Sequence, residues 1–116
     1  MDKTILRGDM YYADLGPVIG SEQDGIRPVL VIQNNVGNRH SPTIVVAAIT
    51  SVISKAKLPT HYAIPAINGL EKDSLVLLEQ VRTIDRKRLG EYIGILDDKY
   101  MKGIDRALAI SIGLKK

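Results

Sequence analysis

A guanidinium at Arg27 and a hydroxyl at Thr50 are the side chains of this sequence best suited to act on a phosphodiester. Pro28 follows Arg27, and its ring biases the preceding residue towards extended backbone, so Arg27 should stand where a strand begins. Thr50 follows the β-prone run 43–49. If the two flanking strands form a hairpin turning near Asn38 and Arg39, facing residues have numbers summing to 77, as those of Arg27 and Thr50 do. A permanent cation and a hydroxyl then lie opposite each other on one rim. A slip of one residue would send them to opposite faces. Both groups can hydrogen-bond the oxygens of a phosphate that gains negative charge in a transition state. In RNA the substrate's own 2′-OH attacks the adjacent phosphorus, so the pair needs no nucleophile of its own. The expected products are a 2′,3′-cyclic phosphate and a 5′-OH end, and DNA, which lacks the 2′-OH, should resist. The spacing has a plainer reading too: an Arg before Pro as a surface ion-pair residue, and a Thr at a strand end as simple β-propensity.

Other residue types offer less. A paired-histidine ribonuclease uses one imidazole as base and one as acid, but nothing in the sequence brings His40 and His61 together, and both read as structural or surface residues. There is no ligand cluster at metal spacing and no cysteine, which excludes disulfides and thiolate metal sites. Arg86, Lys87 and Arg88 form the densest basic run and read as a solvated turn. Arg7-Gly8-Asp9 matches a cell-adhesion tripeptide by coincidence. The glycines at 20 and 25 do not make a P-loop, because the Gly-Lys-Ser/Thr ending is missing.

The elements that must position Arg27 and Thr50 are mostly strands. Residues 9–15, 28–33, 43–49, 61–64, 74–84 and 92–96 are β-prone. Residues 16–26 hold three glycines and one proline, a long loop of the kind that often carries function. Residues 34–42 read as a turn. The runs 28–33 and 43–49 are apolar nearly throughout, so both of their faces must be covered. A small closed barrel with a helix on it, or a barrel face shared with a second subunit, would do this and would hide strand edges. In the tail the period changes: Tyr100, Ile104, Leu108 and Ile112 recur every four residues, as in an amphipathic helix. Asp97 is its expected N-cap, Asp98 suits the first turn, and Leu96 with Met101 can form a hydrophobic staple.

The 116 residues, with 45% hydrophobic and 25% charged residues, fit one compact domain spanning 1–116. A formal net charge of +3 permits a polyanionic partner without identifying one. Five tyrosines with no Phe or Trp argue against a platform that stacks many bases. Residues 1–9 contain no apolar core of signal-peptide length and no run approaches a membrane span, so the expected location is the cytoplasm.

Several stretches together resemble the MazF/PemK family of toxin endoribonucleases, especially those of low-GC Gram-positive bacteria. They are Arg7-Gly-Asp-Met-Tyr-Tyr-Ala-Asp-Leu15, Gly20-Ser-Glu-Gln-Asp-Gly-Ile-Arg-Pro-Val-Leu-Val-Ile-Gln-Asn34, Ser41-Pro-Thr-Ile-Val-Val-Ala-Ala-Ile-Thr50, Lys57-Leu-Pro-Thr-His61 and Leu78-Glu-Gln-Val-Arg-Thr-Ile-Asp85. In order, they cover most of the chain from Arg7 to Asp85. The resemblance implies a mainly β, SH3-like small barrel with a C-terminal α-helix. It further implies a homodimer, no cofactor, and cleavage of single-stranded RNA at a short sequence without metal. Arg27 would then act in acid–base chemistry and Thr50 would stabilise the transition state. Ser21, Glu22 and Gln23 would close over RNA, with Pro28, Ser51, Lys57, Pro59, Glu79 and Gln80 helping to bind it. Arginine is essentially always protonated, so charge stabilisation and proton donation suit Arg27 better than the role of base, and Glu22 is the alternative base. Asp24 stands where close relatives carry Gly. The family's partner is a MazE-like antitoxin whose acidic C-terminal segment covers the RNA groove. Two other functions share this kind of barrel: a CcdB-like toxin that binds gyrase without catalysis, and a plain RNA-binding SH3-like module.

Overall fold

The structure is a computed structural model that describes residues 4–17, 25–51 and 58–115. Six strands form one antiparallel sheet: β1 (Asp9–Asp14), β2 (Ile26–Val31), β3 (Thr43–Thr50), β4 (His61–Ile64), β5 (Ser74–Asp85) and β6 (Leu89–Ile95). Their order is β4-β5-β3-β2-β1-β6. A short helix α1 (Asn35–His40) joins β2 to β3, a 3-10 turn (Arg86–Arg88) joins β5 to β6, and helix α2 (Asp98–Ser111) closes the described chain. Among the described residues no helix is long and apolar enough to cross a membrane.

The apolar runs in β2 and β3 are buried on both faces, as their composition requires. Successive strand residues point to opposite sides. Leu30, Ala47 and Ile49 join Met10 and the α2 residues Met101, Ile104 and Ala107 in one cluster. Val29, Val31, Ile44 and Val46 join Tyr11, Leu15 and Ile84 in a second cluster on the other side. Of the expected helical stripe, Ile104 is fully buried and Tyr100 and Leu108 are partly so, whereas Ile112 lies past the helix end and is exposed. Asp97 occupies the N-cap, but its side chain makes no capping bond. Its carbonyl accepts from Tyr100 and Met101 instead, while Leu96 and Met101 share the first cluster as a staple would.

Closure of the barrel takes a form the sequence did not predict. The edge strands β4 and β6 have no ladder between them. Instead the loop 65–73 after β4 lies across β6, with Asn68 Nδ2 donating to the Ile95 carbonyl at 2.9 Å. The backbones approach so closely that a side chain at Gly94 would overlap the Asn68 carbonyl. One at Gly69, where φ is +101°, would overlap the Ile93 carbonyl. Small residues are required where backbones meet like this, and a positive φ favours glycine further.

The segment 34–42, expected as a turn, contains α1. Asn34 caps it, its side chain accepting from Gly37 N at 2.8 Å. Six residues including glycine and two asparagines carry little helix propensity, so no pattern announced it. Tertiary contacts hold it in place. Asn38 is 1% exposed and donates to the Gln33 carbonyl at 2.9 Å while accepting from Gln33 Nε2 at 3.1 Å. Strand β6 begins at Leu89, three residues before the sequence suggested, because Gly90 and Glu91 interrupt the apolar alternation.

Candidate active site

Strands β2 and β3 pair in the register that the sequence predicted. Val29 faces Ala48, Leu30 faces Ala47 and Val31 faces Val46. Carried two residues further, the same register sets Arg27 across from Thr50, on the face that Val29 and Ala48 share. The α1 insertion leaves the register intact because it is centred where the turn was expected.

The two side chains differ in depth. Arg27 is exposed, whereas Thr50 is 3% exposed. The ladder between β2 and β3 runs from Val31–Val46 to Val29–Ala48, and Arg27 faces Ala13 of β1. Thr50 still pairs with Leu75 of β5 and so sits inside the sheet. The expectation that both lie on a rim holds for Arg27 and fails for Thr50, whose hydroxyl is sunk in the wall.

A cavity of about 210 Å³ opens beside them. Tyr12, Arg27, Pro28, Ile49 and Ser51 form one side, and Leu70, Glu71, Lys72 and Ser74 form the other. Arg27, Pro28 and Ser51 are therefore brought together as expected, and Thr50 lies between two lining residues without lining the cavity itself. The sequence reading missed Tyr12 and the whole wall 70–74. Tyr12 enters through its pairing with Pro28, and the wall enters through a polar loop with no distinguishing pattern.

The remaining expected site residues lie elsewhere. Glu79 and Gln80 occupy a bulge of β5, where the partner of Ala47 is Val81 and that of Ala48 is Leu77. Such bulges bend a strand and re-aim its side chains. Glu79 is already engaged: it accepts from Thr60 Oγ1 at 3.1 Å and meets His61 Nε2 at 2.7 Å. His61 Nδ1 accepts from the Leu58 N–H at 3.2 Å, which leaves Nε2 as the donor to Glu79. His61 is thus structural, as its sequence suggested. Pro59 borders a separate hollow between β4 and α2, with Tyr62 and Gly103. Ser21, Glu22, Gln23 and Lys57 lie outside the described residues.

The basic run is the turn that the sequence suggested, with Lys87 and Arg88 exposed and Arg86 half-buried, and its two arginines also hold distant carbonyls. Arg86 donates to the carbonyls of Asn38 and Ser41, and Arg88 donates to the Asp14 carbonyl at 3.1 Å. Arg82 donates to the Leu15 carbonyl at 3.0 Å. Arg82 and Arg88 thereby hold the start of the 16–25 segment, whose neck is closed by Leu15 N donating to the Gly25 carbonyl at 2.9 Å. A larger hollow of about 500 Å³ lies near α1, bordered by Arg39, His40 and Arg86, and holds none of the expected site residues.

The shifted titrations also lie away from the cavity. Asp9 is buried, which pushes its carboxyl above the usual range against the pull of the Leu6 N–H at 2.8 Å. That burial also keeps Arg7-Gly8-Asp9 from acting as an exposed adhesion tripeptide. Tyr11 is pushed up to about 12, first by burial and then by the negative charge of Asp9.

Comparison with known proteins places this geometry in context. The family model for PemK-like, MazF-like toxins of type II toxin–antitoxin systems matches residues 6–112. Endoribonuclease EndoA of Bacillus subtilis (strain 168) is 61% identical over 111 residues, covering 95% of this chain and 96% of that protein. Among solved structures, an endoribonuclease in complex with its cognate antitoxin from a mycobacterial species superposes with a TM-score of 0.82 at 30% identity, covering 97% and 98% of the two chains. MazF from Deinococcus radiodurans superposes with a TM-score of 0.80 at 25% identity, covering 97% and 99%.

Proposed function

This chain belongs to the family of PemK-like, MazF-like toxins of type II toxin–antitoxin systems, and on that footing we propose that it is an endoribonuclease cutting single-stranded RNA at the Arg27–Thr50 end of the β2–β3 hairpin. The observation that carries the reading is the register: Val29, Leu30 and Val31 face Ala48, Ala47 and Val46, pairs summing to 77, which supports a cation and a hydroxyl meeting at the same end of the hairpin.

In the proposed reaction the RNA 2′-oxygen attacks the adjacent phosphorus and the bond from phosphorus to the 5′-oxygen breaks. The 2′-OH proton goes to a base, and the departing 5′-oxygen takes up a proton. The Arg27 guanidinium donates hydrogen bonds to the phosphate oxygens and to the departing 5′-oxygen, which takes its proton from water. The Thr50 hydroxyl donates to a phosphate oxygen in the transition state. The Thr50 hydrogen bond gains strength in a wall that excludes water. Because a guanidinium holds its protons, the base is a different group, and Glu22 is the candidate. Pro28 and Ser51 contact the strand, with Ser21, Gln23, Lys57, Pro59, Glu79 and Gln80 as outlying contacts.

A homodimer would cover exposed apolar side chains such as Tyr92 (52% exposed) and Ile26 (71% exposed). The expected inhibitor is a MazE-like antitoxin with an acidic C-terminal segment, acting in the cytoplasm. The mycobacterial relative was solved with its cognate antitoxin, and MazE–MazF complexes are known from D. radiodurans.

The test is incubation with a long single-stranded RNA in EDTA, followed by mapping of the cut ends. Discrete cuts with 5′-OH ends, lost in Arg27→Ala, are expected. Intact RNA alongside inhibited gyrase would favour the CcdB-like alternative. Binding without cutting and without any gyrase effect would favour the plain RNA-binding module.

A further inference from the structure

We propose that the hollow of about 500 Å³ beside α1 is a binding site for a nucleoside phosphate, separate from the site that cuts RNA. Asn35, Arg39 and Arg86 hold the phosphate, and the nucleoside lies against Leu6, His40 and Pro42. The inference goes beyond the endoribonuclease reading and does not depend on it.

Place separates the two sites. Helix α1 bridges the turn end of the β2–β3 hairpin, whereas Thr50 closes the other end. The eight residues of β3 lie between them, a span of roughly 25 Å at the rise of a strand. A ligand of nucleotide size held at α1 does not reach the Arg27 cavity.

Charge and hydrogen bonding decide what the hollow accepts. Among the described residues that line it there is no carboxylate. Two carboxylates close by in the chain are already engaged. Asp9 Oδ2 accepts from the Leu6 N–H at 2.8 Å, and Asp85 Oδ1 accepts from the Lys87 N–H at 2.8 Å.

Donors, by contrast, are in excess, and two of them are fixed. Arg86 is half-buried. Its Nη2 donates to the carbonyls of Asn38 and Ser41, and its backbone N–H donates to the Pro42 carbonyl at 3.0 Å. One guanidinium nitrogen is thereby engaged, while the hydrogens on Nε and Nη1 remain for a ligand. Asn35 is fixed through its acceptor. Its Oδ1 accepts from the Arg7 N–H at 2.7 Å and from Asn38 Nδ2 at 3.2 Å. These bonds settle which way the amide faces, and they leave Asn35 Nδ2 as a donor with no acceptor among the described residues. Arg39, exposed on the same helix, has no hydrogen-bond or ion-pair partner among them either. Unengaged donors gathered with two guanidinium groups suit an anion with several acceptor oxygens, and arginine matches phosphate geometry.

Size carries the ligand beyond a bare phosphate. About 500 Å³ falls within the usual range of small-molecule sites, about 300–1,000 Å³. The flat His40 ring and the apolar sides of Leu6 and Pro42 give a base and its ribose a surface to lie on. A free nucleotide and a nucleotide within a strand share this chemistry.

The experiment is a heteronuclear NMR titration of the full ¹⁵N-labelled chain. The probes are adenosine monophosphate, inorganic phosphate, and a short oligodeoxyadenylate, which lacks the 2′-OH and stays uncut. Amides of α1 and the Asn35 side-chain amide should shift. Adenosine monophosphate should bind on the order of tenfold tighter than inorganic phosphate. Asn35→Asp keeps the acceptor for Arg7 and Asn38, and so the fold, but replaces the donor with a negative charge. Asn35→Asp and Arg39→Gln should each weaken binding on the order of tenfold. Lys102→Gln, at the separate hollow between β4 and α2, should not. Shifts from the mononucleotide assign the site to free nucleotides; shifts from the oligonucleotide alone assign it to a strand. No α1 shift with either probe overturns the proposal, as does inorganic phosphate binding as tightly as the mononucleotide. Unchanged affinity in both α1 variants, with wild-type melting curves, overturns it too. Each of these failures leaves the endoribonuclease reading standing, because RNA cutting is measured separately.

Discussion

The guanidinium of Arg82 donates to the carbonyl oxygen of Leu15 at 3.0 Å, joining residues 67 apart in sequence. Leu15 stands at the neck of the 16–25 segment, and the neighbouring β1 residue Ala13 pairs with Arg27. Arg82 therefore steadies the backbone that aims the candidate catalytic cation. A hydrogen bond from a charged donor contributes about 1.5–3 kcal/mol. Arg82→Met is expected to lower stability by roughly this amount in urea denaturation and to lower the RNA cleavage rate. Wild-type stability in this variant would show that the bond contributes nothing.

Gly94 tests barrel closure. Its added methyl would meet the Asn68 carbonyl, and neither backbone can yield without moving the 65–73 loop off β6. Overpacking of this kind costs about 1–3 kcal/mol, occasionally more, and Gly94→Ala should reach the upper end of that range by chemical denaturation. Gly113→Ala, at φ +81° with open space around it, carries only the left-handed backbone cost of about 1 kcal/mol. Equal losses in the two variants would argue against closure through this contact.

Tyr11 predicts how stability changes in alkali. Its folded value is pushed up to about 12 from 10.0. Between these values the folded state holds a proton that the unfolded chain has released. The stabilisation is complete below pH 10 and is lost as pH rises towards 12. About two pKa units correspond to roughly 2–3 kcal/mol. Denaturation curves at pH 9 and 11.5 should show wild type losing more stability than Tyr11→Phe over that interval. Parallel losses would remove the assignment.

Thr50 separates its two roles by substitution. Thr50→Val keeps the branched shape in the wall and removes the hydroxyl, so cleavage should fall by about 10²–10³-fold, as when one transition-state donor is deleted. Thr50→Ser should retain most of the rate. Single-turnover cleavage at saturating enzyme measures this directly. Full activity in Thr50→Val would exclude the hydroxyl from the reaction.

Much of the hairpin was legible beforehand. Pro28, the two apolar runs and the centre of the intervening segment were enough to give the register in which Val29 faces Ala48 and Leu30 faces Ala47. The identity of that segment was not legible, because α1 depends on the buried Asn38–Gln33 exchange rather than on its own propensity. The basic run is an exposed turn as expected, but what its arginines hold was not legible for a related reason. Arg86 and Arg88 look solvated in sequence, yet their partners are carbonyls on distant segments, and a carbonyl leaves no trace in a side-chain pattern. Glu79 and Gln80 were expected as RNA contacts through the resemblance, and the bulge that re-aims them appears only once β5 is paired with both β3 and β4.

The sequence by itself determined the alternation of the strands, the pairing of β2 with β3, the amphipathic α2 and the family, because these follow from period, turn position and local residue type. Only the tertiary structure decided how the barrel closes, how deep Thr50 lies, and which loop faces Arg27 across the cavity. Those features come from contacts between backbones and side chains far apart in the chain. Such contacts depend on how a whole sheet curls, and no local pattern encodes them.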